Sequence, residues 1–261
     1  MTSRRSFQAT WMLTCLLLVA AWLPAAAATF SVSPIRVELD AQHRSAILTF
    51  NNSGQTPLRM QVRPMLWSMQ PDGQWKLTPS DDLIVTPELL EVAPGKNVQL
   101  RVGSLLEAGA TEASYRLLIN ELPNISDKAS AAQPEIKVLT QVSLPVFVEP
   151  ANPVPTPVLR SATLQKSLLE LGLGNSGNQR LDAQNVTVEL RDAKGQVIEQ
   201  HQQIANYVLA GATWFLRLNL PANACARAAS VSVSWSRMAN TSPTHPITKG
   251  AQACEGTSSP L

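Results

Sequence analysis

Polar and apolar residues alternate along most of this chain in short runs, and the period is two. The clearest run is IKVLTQVSLPVFV, Ile136 to Val148. Every second position from Ile136 (Ile136, Val138, Thr140, Val142, Leu144, Val146, Val148) is an aliphatic residue or, once, a threonine. That is the signature of a strand with one apolar face. At about 3.3 Å per residue it would reach about 43 Å, against about 17–20 Å for an ordinary strand. A chain of this size has little core to cover such a length, so part of the apolar face is left needing a partner.

Other runs have the same character. ATFSVSP and IRVEL (Ile35–Leu39) read as an opening strand interrupted at Pro34. SAILTFNN (Ser45–Asn52) and LRMQVRPMLW (Leu58–Trp67) read as strands separated by the turn NSGQTP. Asp72-Gly73 marks a hairpin. LIVTPELLEV holds two short strands around Pro87, and NVQLRVG and ASYRLLINELP follow. Strands every 8–12 residues with turn signals between them predict a β-sandwich and almost no helix. EPANPVPTP, with prolines at 150, 153, 155 and 157, is a stiff linker. Beyond it the pattern restarts: SLLELGLGNSG repeats the plan of AILTFNNSG, and NVTVELRDAKGQVIEQ, TWFLRLNLP and SVSVSWSRM supply more strands. The expected architecture is all-β, with two sandwich domains at 29–150 and 158–261, a linker at 151–157 and a loose tail from Thr241.

The first 28 residues read as a signal peptide rather than structure. Arg4 and Arg5 precede the apolar run Trp11 to Leu23, and PAAAA follows as a small-residue cleavage site. A twin-arginine signal and an uncleaved anchor stay open as alternatives, although the run is short for a stable membrane span. The whole chain has 21 Lys+Arg and 19 Asp+Glu. Loss of the leader removes Arg4 and Arg5 and leaves the two signs balanced, which argues against nucleic acid and does not suggest a membrane surface. Of the three cysteines, Cys15 lies in the leader. Cys225 and Cys254 fit one disulfide of an exported protein, with a metal site as the weaker reading because His43, His201 and His245 are scattered.

No constellation for catalysis is evident. There is no GxSxG, no cysteine stands beside a histidine, and Asp81, Asp82, Glu88 and Glu91 read as turn carboxylates. No enzymatic activity and no cofactor are expected.

The motifs VSPIRVELDAQHRSAILTFNNSG, LIVTPELLEVAPGKNVQLRVG, ASYRLLINELP and the strand ending VFVEP occur in an order that resembles the periplasmic chaperones of the chaperone–usher pilus pathway. The spacing W…DG…LxPxxDLIVxP is closer to the archaic or alternative branch. The resemblance covers nearly all of the first domain; the second matches only in kind. It implies two immunoglobulin-like domains set at an angle, with pilin subunits and an outer-membrane usher as partners. It also implies a mechanism, in which the chaperone lends a strand to a subunit that lacks its last one. On that reading Leu144, Val146 and Val148 pack the chain's own core, while Ile136, Val138, Thr140 and Val142 form the donor strand. Self-association that caps the same strand stays open, as does an alternative reading as a two-domain adhesin or fibre component.

The resemblance further implies that two basic residues hold the subunit's C-terminal carboxylate. The first corresponds to Arg36. The second position is occupied here by Pro145, so Arg36 acts alone or with Arg116 or Lys166. The family's cross-junction ion pair falls on Glu149 and Glu121, both acidic. Arg160 is the expected substitute, with a different or looser interdomain angle.

Overall fold

The computed structural model describes residues 30–123, 139–238, 241–250 and 252–254. Strand β1 (Phe30–Ser33) pairs antiparallel with β3 (Ser45–Asn52). The peptide before Pro34 is cis, and beyond it the chain crosses to the opposite sheet. There β2 (Val37–Leu39) pairs parallel with β10 (Gln141–Val148). A second crossing lies at Pro87. Strand β6 (Leu83–Thr86) pairs with β8 (Asn97–Ser104), whereas β7 (Leu89–Val92) pairs with β4 (Leu58–Met69). Proline lacks the N–H a ladder needs, so a strand ends there and its continuation is free to change sheets. With β5 (Trp75–Pro79) and β9 (Ala113–Leu122), the sheets run β1-β3-β8-β6 and β2-β10-β9-β4-β5. Leu48, Phe50, Leu100, Val102, Leu117, Ile119 and Val146 fill the space between them.

Residues beyond 156 repeat the plan. Strands β11 (Pro157–Gln165), β12 (Leu168–Asn175), β13 (Gln184–Arg191), β14 (Val197–Ala205), β15 (Thr213–Asn219) and β16 (Ser230–Trp235) form two sheets around Leu169, Leu171, Val186, Val188, Val231 and Val233. Two short strands complete them. β17 (His245–Pro246) pairs with β16, and β18 (Thr248–Lys249) pairs with β11, so this part of the expected loose tail is ordered by ladder bonds. A six-residue helix, α1 (Ala222–Arg227), was not expected from the sequence. It is too short to carry an amphipathic period, and it seats Cys225 within the core. The Cys225 and Cys254 sulfurs lie 2.19 Å apart.

The repeated Asn-Ser-Gly turns do the same work in both halves. The Asn52 amide donates to the carbonyls of Thr56 (2.8 Å) and Val92 (2.9 Å), and its oxygen accepts from the Gly54 N–H (2.9 Å). The Asn175 amide donates to Gln179 (2.7 Å) and Val208 (3.1 Å), and its oxygen accepts from Gly177 (3.0 Å). Both side chains are fully buried. Truncation would strand buried backbone groups at about 1–3 kcal/mol each. Asn52→Ala and Asn175→Ala are therefore each expected to lose about 2–4 kcal/mol in urea denaturation. A loss below about 0.5 kcal/mol, the usual range for a surface change, would mean that these turns are not structural.

Candidate functional site

Strand β10 is paired on one side along its whole length and on the other for only three residues. Against β9 the register runs from Gln141↔Asn120 to Val148↔Ala113. Against β2 it covers Val146 to Val148 alone. Glu121 donates its N–H to the Thr140 carbonyl (2.9 Å), which fixes the alternation: even-numbered residues bond β9 and odd-numbered ones face away. Pro145, with no N–H to offer, falls on the outward phase. The backbone groups of Gln141 and Ser143 are thus directed to a side where, among the described residues, no strand lies. Leu144, Val146 and Val148 are core residues, while Val142 only packs against the core margin. Leu139 and Thr140 are exposed and precede β10, which begins at Gln141. Ile136 and Val138 lie outside the described residues.

The other face of the β2-β10-β9-β4-β5 sheet looks toward the second domain and carries an aromatic box. The Arg116 guanidinium carbon lies 4.1 Å from the Trp67 ring centre and 4.5 Å from that of Trp75. Tyr207, from the second domain, is 5.9 Å away. The two indoles meet edge to face at 4.7 Å, and Tyr207 meets Trp67 at 5.6 Å. Such stacking holds a guanidinium flat with its N–H edge free to donate. Arg116 is 7% exposed and donates to the Ser143 carbonyl at 3.4 Å. Its Nε and the Trp67 Nε1 are buried donors without acceptors among the described residues. No carboxylate pairs with Arg116 among the described residues. Burial holds its pKa below the usual arginine value, with Tyr207 acting in the opposite sense.

Arg36 is differently engaged. It pairs with Glu38 at 3.2 Å and with Asp182 of the second domain at 3.3 Å. Burial acts against its charge, but Asp182, Glu38 and the nearby Tyr207 outweigh it, and its pKa is raised. Lys166 sits in the β11–β12 turn, where its N–H bonds the Gln252 carbonyl, at the end of β11 away from the linker. It is too far along the second domain to complete a site with Arg36 or Arg116.

Between the cleft and the linker lies a charged cluster that the sequence reading missed. Arg180 follows the second Asn-Ser-Gly turn and reaches Glu38, Glu112, Glu149 (3.2 Å) and Asp182 (3.0 Å), with its guanidinium 3.7 Å from the Phe147 ring centre. Its side chain is 3% exposed and that of Glu112 is 0%. Arg180 and Arg36 thus face four carboxylates. Burial pushes the Glu112 carboxyl up to about 7, although Arg180 pulls it down. The Arg180 pKa is raised: burial lowers it, but Glu112, Asp182 and Glu38 overcome that effect. Two corrections follow. Glu149 has a partner, and it is Arg180. Arg160 instead bonds Thr213, Asn175 and Gly211 within its own domain. Glu121 takes no part, because its carboxylate accepts the Thr140 N–H. The junction expected to lack its ion pair has a larger network.

The same loop grips the linker. Asn178 accepts from the Val154 N–H (2.7 Å) and donates to the Ala110 and Asn152 carbonyls (3.0 Å each). A Cβ on Gly177 would stand 2.0 Å from the Val154 oxygen, so only glycine fits there. The tip of the β4–β5 hairpin adds a further contact between domains. Gly73, at φ +79°, lies so close to Phe215 that a Cβ would be 3.0 Å from its ring.

Residues 29–153 match the family described as pili and flagellar-assembly chaperone, PapD N-terminal domain. No curated protein sequence matches the chain. Among solved structures, one similar fold is the CsuC-CsuE chaperone-tip adhesion subunit pre-assembly complex from archaic chaperone-usher Csu pili of Acinetobacter baumannii. It is 21% identical, covers 85% of this chain and 100% of that chain, and has a TM-score of 0.55. The Class 5 fimbriae chaperone CfaA is 11% identical over 84% of this chain and 99% of its own, at 0.55. The Salmonella enterica SafA pilin in complex with the SafB chaperone gives 15% over 81% and 90%, at 0.50. At such identities the likeness is one of fold, and the fold is two immunoglobulin-like domains.

Proposed function

We propose that the chain is a chaperone of the chaperone–usher pilus pathway, a family without enzymatic activity whose N-terminal domain residues 29–153 match, and that it caps pilus subunits by lending them the open edge of β10. The observation that carries this reading is the half-paired strand. An unpaired edge is a hazard in a soluble protein unless it is used, and here it continues an apolar face that the core does not cover. The Gln141 and Ser143 backbone would form the ladder with the subunit. Val142, Thr140, Val138 and Ile136 would present side chains to its groove, each buried aliphatic contributing about 1.5–3 kcal/mol.

The subunit's terminal carboxylate goes to Arg116. Arg36 already has two carboxylates, whereas Arg116 is held flat with a buried donor unsatisfied, beside the Ser143 carbonyl. An arginine in that condition favours a planar anion over water. The chain works in the periplasm after removal of residues 1–28, with domains at 29–150 and 158–261 and a linker at 151–157. There Cys225 and Cys254 form a disulfide, and the loaded subunit passes to an outer-membrane usher.

Periplasmic expression of the tagged protein with candidate pilins, followed by mass spectrometry of what copurifies, tests this reading. Wild type should bring down a small subunit, and Arg116→Gln should reduce the yield about tenfold or more. Retention by Arg116→Gln with loss by Arg36→Ala would move the anchor to Arg36. No subunit with wild type would end the chaperone reading.

A further inference from the structure

Tyr207 lies beside both arginines of the cleft. It comes from the second domain, and its ring lies 5.9 Å from the Arg116 guanidinium. It also lies near enough to Arg36 to favour that arginine's charge. Its ring also meets Trp67 at 5.6 Å and Phe147 at 5.8 Å, both from the first domain. The backbone around it is firmly held. The Asn206 carboxamide accepts the Tyr207 N–H at 2.9 Å. The next residue, Val208, exchanges two hydrogen bonds with Leu181, at 2.8 and 3.1 Å. Leu181 stands between Arg180 and Asp182, the second domain's contribution to the charged cluster. Any movement of the second domain therefore carries Tyr207 with it.

We infer that Tyr207 is a positioning residue of the carboxylate anchor, contributed by the second domain, and that it makes anion capture depend on how the two domains are set. The inference rests on the proposed role of Arg116. With the ring in place, the Arg116 guanidinium is flanked by three aromatic rings, and its Nε is a buried donor with no acceptor among the described residues. Arg36 is already shared between Glu38 and Asp182, which leaves Arg116 as the one of the two arginines with no carboxylate among the described residues. Without the ring, Arg116 gains water and rotamer freedom, and both lower its preference for an anion over a neutral amide.

The probe is the acetylated peptide Thr-Val-Thr-Val-Thr-Val, made once with a free C-terminal carboxylate and once as the carboxamide. Both are titrated against the full mature chain by tryptophan fluorescence, since Trp67 and Trp75 flank Arg116. Wild type should favour the acid about tenfold or more. Tyr207→Ala should weaken the acid and leave the amide unchanged, so that the preference falls below about threefold. Tyr207→Phe, which keeps the ring, should restore it. Three results would overturn the inference: an undiminished acid preference in Tyr207→Ala, an equal loss for both peptides, or a Phe variant as poor as the Ala one. If wild type itself treats acid and amide alike, it is the assignment of Arg116 as anchor that falls.

Discussion

Arg180→Ala is expected to cost the fold about 3–5 kcal/mol at neutral pH, the usual result of removing one member of a buried ion pair. The loss should grow as pH rises. Glu112 explains why. Its carboxyl has a folded-state pKa of about 7, above the ordinary 4.5, because burial outweighs the pull of Arg180. A group raised in this way contributes stability in full below its unfolded pKa and loses it as pH climbs through the folded one. Wild type should therefore become less stable between about pH 5 and 7 on account of this residue, and Glu112→Gln should flatten that part of the curve. Without Arg180 the carboxyl is pushed higher still. It stays neutral in mild acid, where the variant is least harmed, and must be buried as a bare charge in mild alkali. Urea denaturation of wild type, Arg180→Ala and Glu112→Gln at pH 5.5 and 8 checks this. A pH-independent deficit in Arg180→Ala, together with an unaltered slope in Glu112→Gln, would show that Glu112 does not govern the junction.

Ser143→Pro should have the second large effect, on binding rather than folding. The Ser143 N–H faces the open side of β10, so proline there leaves the β9 ladder intact. It removes one donor from the edge offered to a subunit and places a ring against the incoming strand. Capture is expected to fall about tenfold or more, with the melting temperature within a few degrees of wild type. Val142→Asp should abolish capture, since it puts a charge into an apolar groove. Val142 also packs on the core margin, so part of its effect will be a loss of stability. The proline variant separates the two: normal capture by Ser143→Pro would mean that the open edge is not the binding surface.

The strands were legible because their signal is local. SAILTFNN forms β3 without a residue to spare, and Pro34 and Pro87 mark the two places where the chain changes sheets. The repeated Asn-Ser-Gly was legible as a pattern, and its meaning came from the buried carbonyls it satisfies. The charged cluster was not legible. Its members lie at positions 38, 112, 149, 180 and 182, and no spacing in the chain links them; only the folded backbone brings them together. The same limit applied to the choice of anchor. Sequence placed Arg36 and Arg116 each on a strand, but which arginine was already paired depended on Asp182, far along the chain. The single-turn helix at Ala222–Arg227 offered no period to read.

Amide hydrogen exchange at β10, followed in the free chain and in its complex with the copurified subunit, tests the central claim most directly. In the free chain the Ser143 N–H should exchange fast while that of Leu144, directed at β9, is protected. On binding, Ser143 should become protected and Leu144 should be unchanged. Protection of Ser143 in the free monomer, or its continued rapid exchange in the complex, would contradict the account.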